Sequence, residues 1–375
     1  MPSSISNSET TAQTNQSLKS AVSDSNIIEY REIPDRSWTA ILIAASVVML
    51  ASLIAWELLA RSMHHIPGSY QSSFDTMWSE ERSKLDQQTT PVKIVLVGSS
   101  RMLWNADLNI LEKGLGARPV QLSLPGTGPA LFVKDIVENT EFNGLLLVGV
   151  TPFLFNRLDE GFFGKAALDA YEYQSPSQWS GSKLHDSLSN YLGFLDDAFA
   201  LSDLLERYTD LPLRAGAKKL LYEDWKLGNV YANRQTDMWK PVETVGSFDN
   251  VQITNFWKRG GQLEGDPMPL EKMQGMTSSS IEFFAPLVAK FQERGGNIIF
   301  ILMPSSGLYE EFAEKSNYHE YTWKPMLEGF GAAGINTMAF PELSSDLDIP
   351  EWSHLSRESQ DLWSARIISY IEEAK

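Results

Sequence analysis

The chain contains no cysteine. That excludes thiol nucleophiles, disulfides and thiolate-ligated zinc together. It is also poor in histidine, with five in 375 residues. Basic residues are outnumbered, 31 Lys and Arg against 48 Asp and Glu, for a net charge of −17. A surface of that sign repels phosphate backbones and anionic lipid, so nucleic acid is not an expected partner. No Gly-x-Gly-x-x-Gly or P-loop pattern is present. Gly126-Thr127-Gly128 lacks both the third glycine and the acidic partner. No His-Glu-x-x-His or carboxylate cluster suggests a metal. Neither cofactor nor metal is therefore expected. No internal repeat is evident.

The first 36 residues are rich in Ser, Thr, Asn and Gln and read as a disordered tail. Residues 37–56 carry no charge and are mostly apolar, with Trp38 and Trp56 at the ends. About 20 such residues in a helix span the ~30 Å hydrocarbon layer, and interfacial tryptophans suit its borders. A signal-peptide core is shorter and lies nearer the start. An uncleaved anchor over 37–60 is the preferred reading. Arg31 and Arg36 before it, against Arg61 after it, lean toward a cytoplasmic N-terminus. The remainder is then extracytoplasmic, on a plasma or inner membrane. Residues 61–90 read as a stalk, helical around 73–85.

The globular part, 91–375, alternates strand and helix signals. Residues 92–97 form a short continuous apolar run, as do 144–150 and 297–302, and 119–124 is a further strand candidate. Such runs mark strands buried on both faces. Asp107 caps a helix over 107–113 ended by Gly114, and Pro129 opens one to about Asn139. Helices are also expected over 278–294, 324–330 and 356–373, with a last strand over 335–339. This order predicts an α/β fold: a three-layer parallel sheet with helices on both faces. A long insert, 157–277, interrupts it. Its aromatics include Tyr171, Tyr173, Trp179, Tyr191, Trp225, Tyr231, Trp239, Phe248 and Trp257. They either cap the site and stack on sugar rings or build the insert's own core.

Reactive groups in open α/β sheets gather at the carboxyl ends of strands. Gly98-Ser99-Ser100, Ser123-Leu-Pro-Gly126 and Thr151-Pro152 lie at such ends, and Glu351-Trp-Ser-His354 follows the last strand. A serine hydroxyl needs a base, and the base needs an acid to fix its tautomer. His64 and His65 adjoin the anchor, and His185 and His319 follow no strand. His354 is the remaining base candidate, with Glu351, or else Asp348 or a backbone carbonyl, to orient it. The N–H groups of Ser100 and Gly126 are oxyanion candidates, because glycine permits close backbone approach. Arg101 is either a contact for an anionic substrate or a partner of a nearby carboxylate. Trp104 is a further candidate substrate contact.

Gly98-Ser99-Ser100 resembles the Gly-Asp-Ser block of the SGNH (GDSL-like) hydrolases. Gly126 is similar to the glycine of their second block, and Glu351-Trp-Ser-His354 to their Asp-x-x-His block. The similarity covers 92–156 and 297–375 and implies a flavodoxin-like SGNH sheet with Ser100 as nucleophile and a Ser100–His354–Glu351 triad. The third block, Gly-x-Asn-Asp, is absent; the strand ends Val148-Gly-Val-Thr-Pro152, and Asn156 is the substitute oxyanion group. A single anchor and the loss of that asparagine are similar to the membrane-anchored branch (DltD-like and AlgJ/AlgX-like proteins). That branch implies acyl transfer or ester cleavage on an extracytoplasmic polysaccharide, with a membrane-bound acyltransferase or polysaccharide synthase as partner. An inactive scaffold that binds a polysaccharide or a membrane partner is the alternative.

Overall fold

In a computed structural model the described residues are 37–66, 68–69, 74–87, 91–152, 154–158, 162–201, 204, 226–260 and 268–375. The expected tail, 1–36, lies outside them. The chain divides into two units, Met1–Ile54 and Ala55–Lys375.

Helix α1, Trp38–Ser62, is long and apolar enough to cross a membrane, with a mean hydropathy of 2.3 over its most apolar window. Leu42, Val48 and Met49 are exposed, as side chains meant for lipid would be. Its last two turns belong to the second unit. There Trp56 Nε1 donates to Phe199 O at 2.7 Å, Arg61 donates to Tyr191 O, and Glu57 Oε2 accepts the N–H groups of Gly193 and Phe194.

The stalk expected over 61–90 is not a spacer at its second half. Helix α2, Phe74–Ser83, is packed into the domain. Trp78 is fully buried and donates to Leu122 O at 2.9 Å. Arg82 is buried too, and donates to Asp135 at 2.5 Å. A polar-looking sequence is thus internal because its charge is paired.

The sheet consists of β1 (Ile94–Val97), β2 (Val120–Gln121), β3 (Leu145–Val150), β6 (Asn297–Leu302) and β7 (Ala333–Asn336). Its order is β2-β1-β3-β6-β7, and every pair is parallel. Alternate side chains go to opposite faces. Val95, Val97, Leu146, Val148, Ile298 and Phe300 share one core. Ile94, Leu96, Leu145, Leu147, Ile299 and Ile301 share the other.

Helices cover both faces. On the second lie α3 (Ser100–Asn105) and α4 (Leu108–Leu115), and on the first α5 (Ala130–Asn139). Asp107 caps α4 through Ile110 N, but the helix closes at left-handed Gly116 and not at Gly114. The insert adds α6 (Phe162–Tyr173), α7 (Pro176–Ser189), an antiparallel hairpin of β4 (Gly228–Val230) and β5 (Thr236–Met238), and α8 (Phe248–Gly260). Then come α9 (Leu270–Glu293), α10 (Gly307–Lys315), α11 (Lys324–Phe330) and α12 (Arg357–Ala374). The 278–294 pattern marks only the C-terminal part of α9. The last strand lies two residues earlier than its pattern, because 337–339 turn into a short 3₁₀ helix.

The insert has a core of its own: Phe199, Leu227, Met238, Trp239, Val242 and Ile253. That core sits on Leu103 and Trp104 of α3. Polar ties reinforce it, since Thr236 Oγ1 donates to Leu103 O and Arg234 donates to Gln121 O and Ser123 O. Tyr173, Trp179 and Tyr191 remain exposed, whereas Trp225 lies outside the described residues.

Candidate active site

β1 joins β2 on one side and β3 on the other, so the carboxyl end of β1 is where the strand order reverses. Crevices for ligands form at such points. Gly98 follows β1 directly. A Cβ there would meet Met102 Cβ at 2.9 Å and Gly149 O at 3.1 Å, and one on Gly149 would meet Met102 Cβ at 2.7 Å. A glycine just past β1 and another within β3 therefore let the first turn of α3 settle onto the strand ends.

Ser99 is the N-cap of α3. Its Oγ accepts from Arg101 N at 3.3 Å and bonds Thr151 Oγ1 at 2.5 Å, bridging the ends of β1 and β3. Ser99 is thus committed to structure. Ser100 is the first helical residue, 8% exposed against 1% for each neighbour, and its hydroxyl bonds nothing among the described residues.

The loop before α12 supplies the other half. Glu351 and His354 are both fully buried, and Glu351 Oε1 lies 3.0 Å from His354 Nδ1. The same oxygen accepts the backbone N–H groups of Ser353 and His354. Trp352, at φ +71°, makes this possible: a left-handed turn aims both N–H groups back at the carboxylate. Such a residue costs about 1–2 kcal/mol, and the surrounding bonds hold it there, Ser306 N donating to Trp352 O at 3.1 Å. Glu351 Oε2 accepts from Trp257 Nε1 of α8. Four donors offset the desolvation of one carboxylate.

Asp348 has no part in this. Its backbone oxygen accepts from Ser356 N and its N–H donates to Ser359 Oγ. Of the orienting groups open from sequence, Glu351 is the one bonded to His354.

His354 Nε2 is buried and bonds nothing among the described residues. The imidazole lies between two indoles, Trp104 and Trp257, each with its ring centre 6.0 Å away. Trp104 is itself 4% exposed, so it walls His354 and offers no open face to a substrate.

Two hydrogen bonds tie the serine helix to the histidine loop. Arg101 Nε donates to Ser353 Oγ at 3.1 Å, and Leu355 N donates to Asn105 Oδ1 at 3.0 Å. Arg101 is 1% exposed, its guanidinium lies over the Tyr309 ring at 4.7 Å, and one of its terminal nitrogens, Nη1, bonds nothing among the described residues. Burial lowers its pKa, against the opposing pull of Tyr309 and Glu351. The carboxylate partner foreseen for it is absent among the described residues.

The remaining oxyanion candidates lie differently. Leu124 N donates to Gly98 O at 3.1 Å, which brings the turn holding Gly126 beside the serine turn. Gly126 is exposed at φ +60°, and a Cβ would meet nothing within 4 Å. Its backbone conformation, and not close approach, is what asks for glycine. Asn156 Oδ1 accepts from Ser280 Oγ of α9 at 3.2 Å, so its amide is turned into the helix layer.

Trp257 is one of the insert aromatics named from the sequence, but its bond to Glu351 is not foreseen there. It sits in a polar helix of the insert, and only its aromatic character distinguished it. No family model, curated protein or solved structure matches the chain. The site is read from its own residues.

Proposed function

We propose that the chain is a membrane-anchored serine acyltransferase or esterase of the SGNH type, acting on an extracytoplasmic polysaccharide. The observation that carries this reading is the buried Glu351–His354 pair, on a loop tied through Arg101 and Asn105 to the helix that begins at Ser100.

Ser100 Oγ attacks the acyl carbonyl carbon while His354 Nε2 takes its proton, and Glu351 holds Nδ1–H and stabilises the imidazolium. The N–H groups of Ser100 and Gly126 receive the oxyanion. His354 returns the proton to the leaving oxygen, which departs from an acyl-Ser100 intermediate. A glycan hydroxyl, or water in an esterase, then attacks that ester with its proton passing to Nε2, and the acyl–Oγ bond breaks as Nε2 returns the proton to Ser100. Ser100 and His354 share no hydrogen bond in the structure. Catalytic hydrogen bonds commonly close only once substrate is bound. Transfer needs water kept out, and the two indoles around His354 favour that. A membrane-bound acyltransferase or polysaccharide synthase is the fitting donor-side partner, and a cytoplasmic N-terminus the fitting topology.

The second reading is a non-catalytic scaffold of the same fold. The unmade Ser100–His354 bond and the commitment of Asn156 to Ser280 favour it.

The deciding experiment treats the full chain in detergent with a fluorophosphonate probe and with p-nitrophenyl acetate, beside Ser100→Ala and His354→Ala. Labelling and turnover that disappear in both variants support the enzyme. A folded chain that neither labels nor turns over supports the scaffold.

A further inference from the structure

We propose that Trp257 is a positioning residue for the Glu351–His354 pair, so that the insert, and not the sheet domain alone, completes the base. This rests on the reading of His354 as a general base.

Helix α8 grips the 350–354 loop at two points seven residues apart, a spacing that keeps both on one helix face. Asn250 Nδ2 donates to Pro350 O at 3.1 Å. Trp257 Nε1 donates to Glu351 Oε2. The indole also stands 6.0 Å from the His354 ring and 6.0 Å from the Tyr309 ring, so its plane is fixed from two sides.

The bond bears on geometry in a definite way. Glu351 Oε1 is occupied by His354 Nδ1 and two backbone N–H groups, all from its own loop. Trp257 is the donor that holds Oε2. A carboxylate bonded through one oxygen can turn about its last carbon–carbon bond and carry Oε1 out of the imidazole plane. Held through both oxygens, it cannot. The imidazole then keeps one tautomer, with Nε2 bare and turned to receive a proton. Removal of the indole N–H leaves a buried carboxylate oxygen unpaired and frees that rotation.

The test uses the full chain in detergent with Trp257→Phe, and with 3-benzothienylalanine at 257, which keeps the indole shape without the N–H. Both are expected to lower kcat on p-nitrophenyl acetate by roughly 10–100-fold with KM nearly unchanged. In a Glu351→Gln background the same changes should have no further effect, because the role runs through the carboxylate. Unchanged kcat, or effects that simply multiply with Glu351→Gln, overturn the proposal. The low-field proton resonance of His354 Nδ1–H gives a readout independent of turnover. If the wild-type chain neither labels nor turns over, the enzymatic reading fails on its own. Trp257 is then judged by that resonance: lost or shifted in the benzothienylalanine chain supports positioning, and unchanged overturns it.

Discussion

Arg101 Nε donates to Ser353 Oγ at 3.1 Å, so the residue after the candidate nucleophile holds the residue before the candidate base. The cost of that link is a guanidinium buried with no ion pair among the described residues, Glu351 acting on it only through charge. Taking one such charge out of the interior removes its desolvation penalty, several kcal/mol per ion, which offsets the lost hydrogen bond. Arg101→Met is therefore expected to melt at the same temperature as wild type or higher, while ester turnover falls at least ~10-fold because a misplaced loop loses alignment. Thermal unfolding and p-nitrophenyl acetate kinetics on the same preparation check this. A lower melting temperature would mean that the charge is compensated in the fold.

Glu351 does two jobs with one oxygen, orienting His354 Nδ1 and closing its own loop through two backbone N–H groups. Glu351→Gln keeps the shape but offers the wrong partner to one ring tautomer, and a drop in kcat of about 10⁴ is the precedent for such a change. Glu351→Asp keeps the charge and shortens the arm by one methylene. The aspartate cannot reach Nδ1 and Trp257 together, so an intermediate loss of roughly 10–100-fold is expected. Steady-state kinetics of the pair rank the two effects, and an aspartate variant as active as wild type would show that charge alone matters.

Glycines near the site answer to different constraints, and alanine substitutions separate them. At Gly126 a Cβ meets open space, so Gly126→Ala pays only for its left-handed backbone, about 1–2 kcal/mol. At Gly149 a Cβ would sit 2.7 Å from Met102 Cβ, at the base of the serine helix. Gly149→Ala is expected to cost more, up to about 3 kcal/mol, and to lower activity by displacing α3. Denaturant unfolding compares the two, and a larger loss at Gly126 would refute the assignment.

Sequence pattern revealed the parts of this protein that depend on neighbours in the chain. The buried runs of β1, β3 and β6 read as strands because parallel strands are apolar on both faces. Glu351 and His354 read as a pair because they lie three positions apart in the chain. The features that escaped depend on distant partners. Helix α2 looked like an exposed stalk, since nothing in Phe74–Ser83 announces that Arg82 meets Asp135 fifty-three residues later. Trp257 looked like any insert aromatic until its N–H was found on Glu351, ninety-four residues away. Gly126 was legible as a special position, but for the wrong reason: its φ asks for glycine, not a crowded approach.

Close to the end of α1, Asp196 is buried with Lys226 Nζ bonded to its Oδ2 and His65 Nδ1 at 3.6 Å. Burial alone would raise its pKa, but His65 and Lys226 outweigh it and hold the carboxyl below the usual range. A carboxyl depressed in the folded state stabilises the fold above its unfolded pKa, near 3.9. That contribution is lost as pH falls through the lower, folded value. Asp196→Asn removes the charge and strands Lys226, so the variant should be less stable than wild type by about 3–5 kcal/mol at neutral pH. From pH 7 to 5 the gap should stay constant, since neither state of Asp196 titrates there. Below about pH 4 it should narrow, because the wild type then begins to pay for its own charge. Urea unfolding of the two chains between pH 3 and 7 measures the gap directly. A gap that closed between pH 7 and 5 would refute the assignment of this contribution to Asp196.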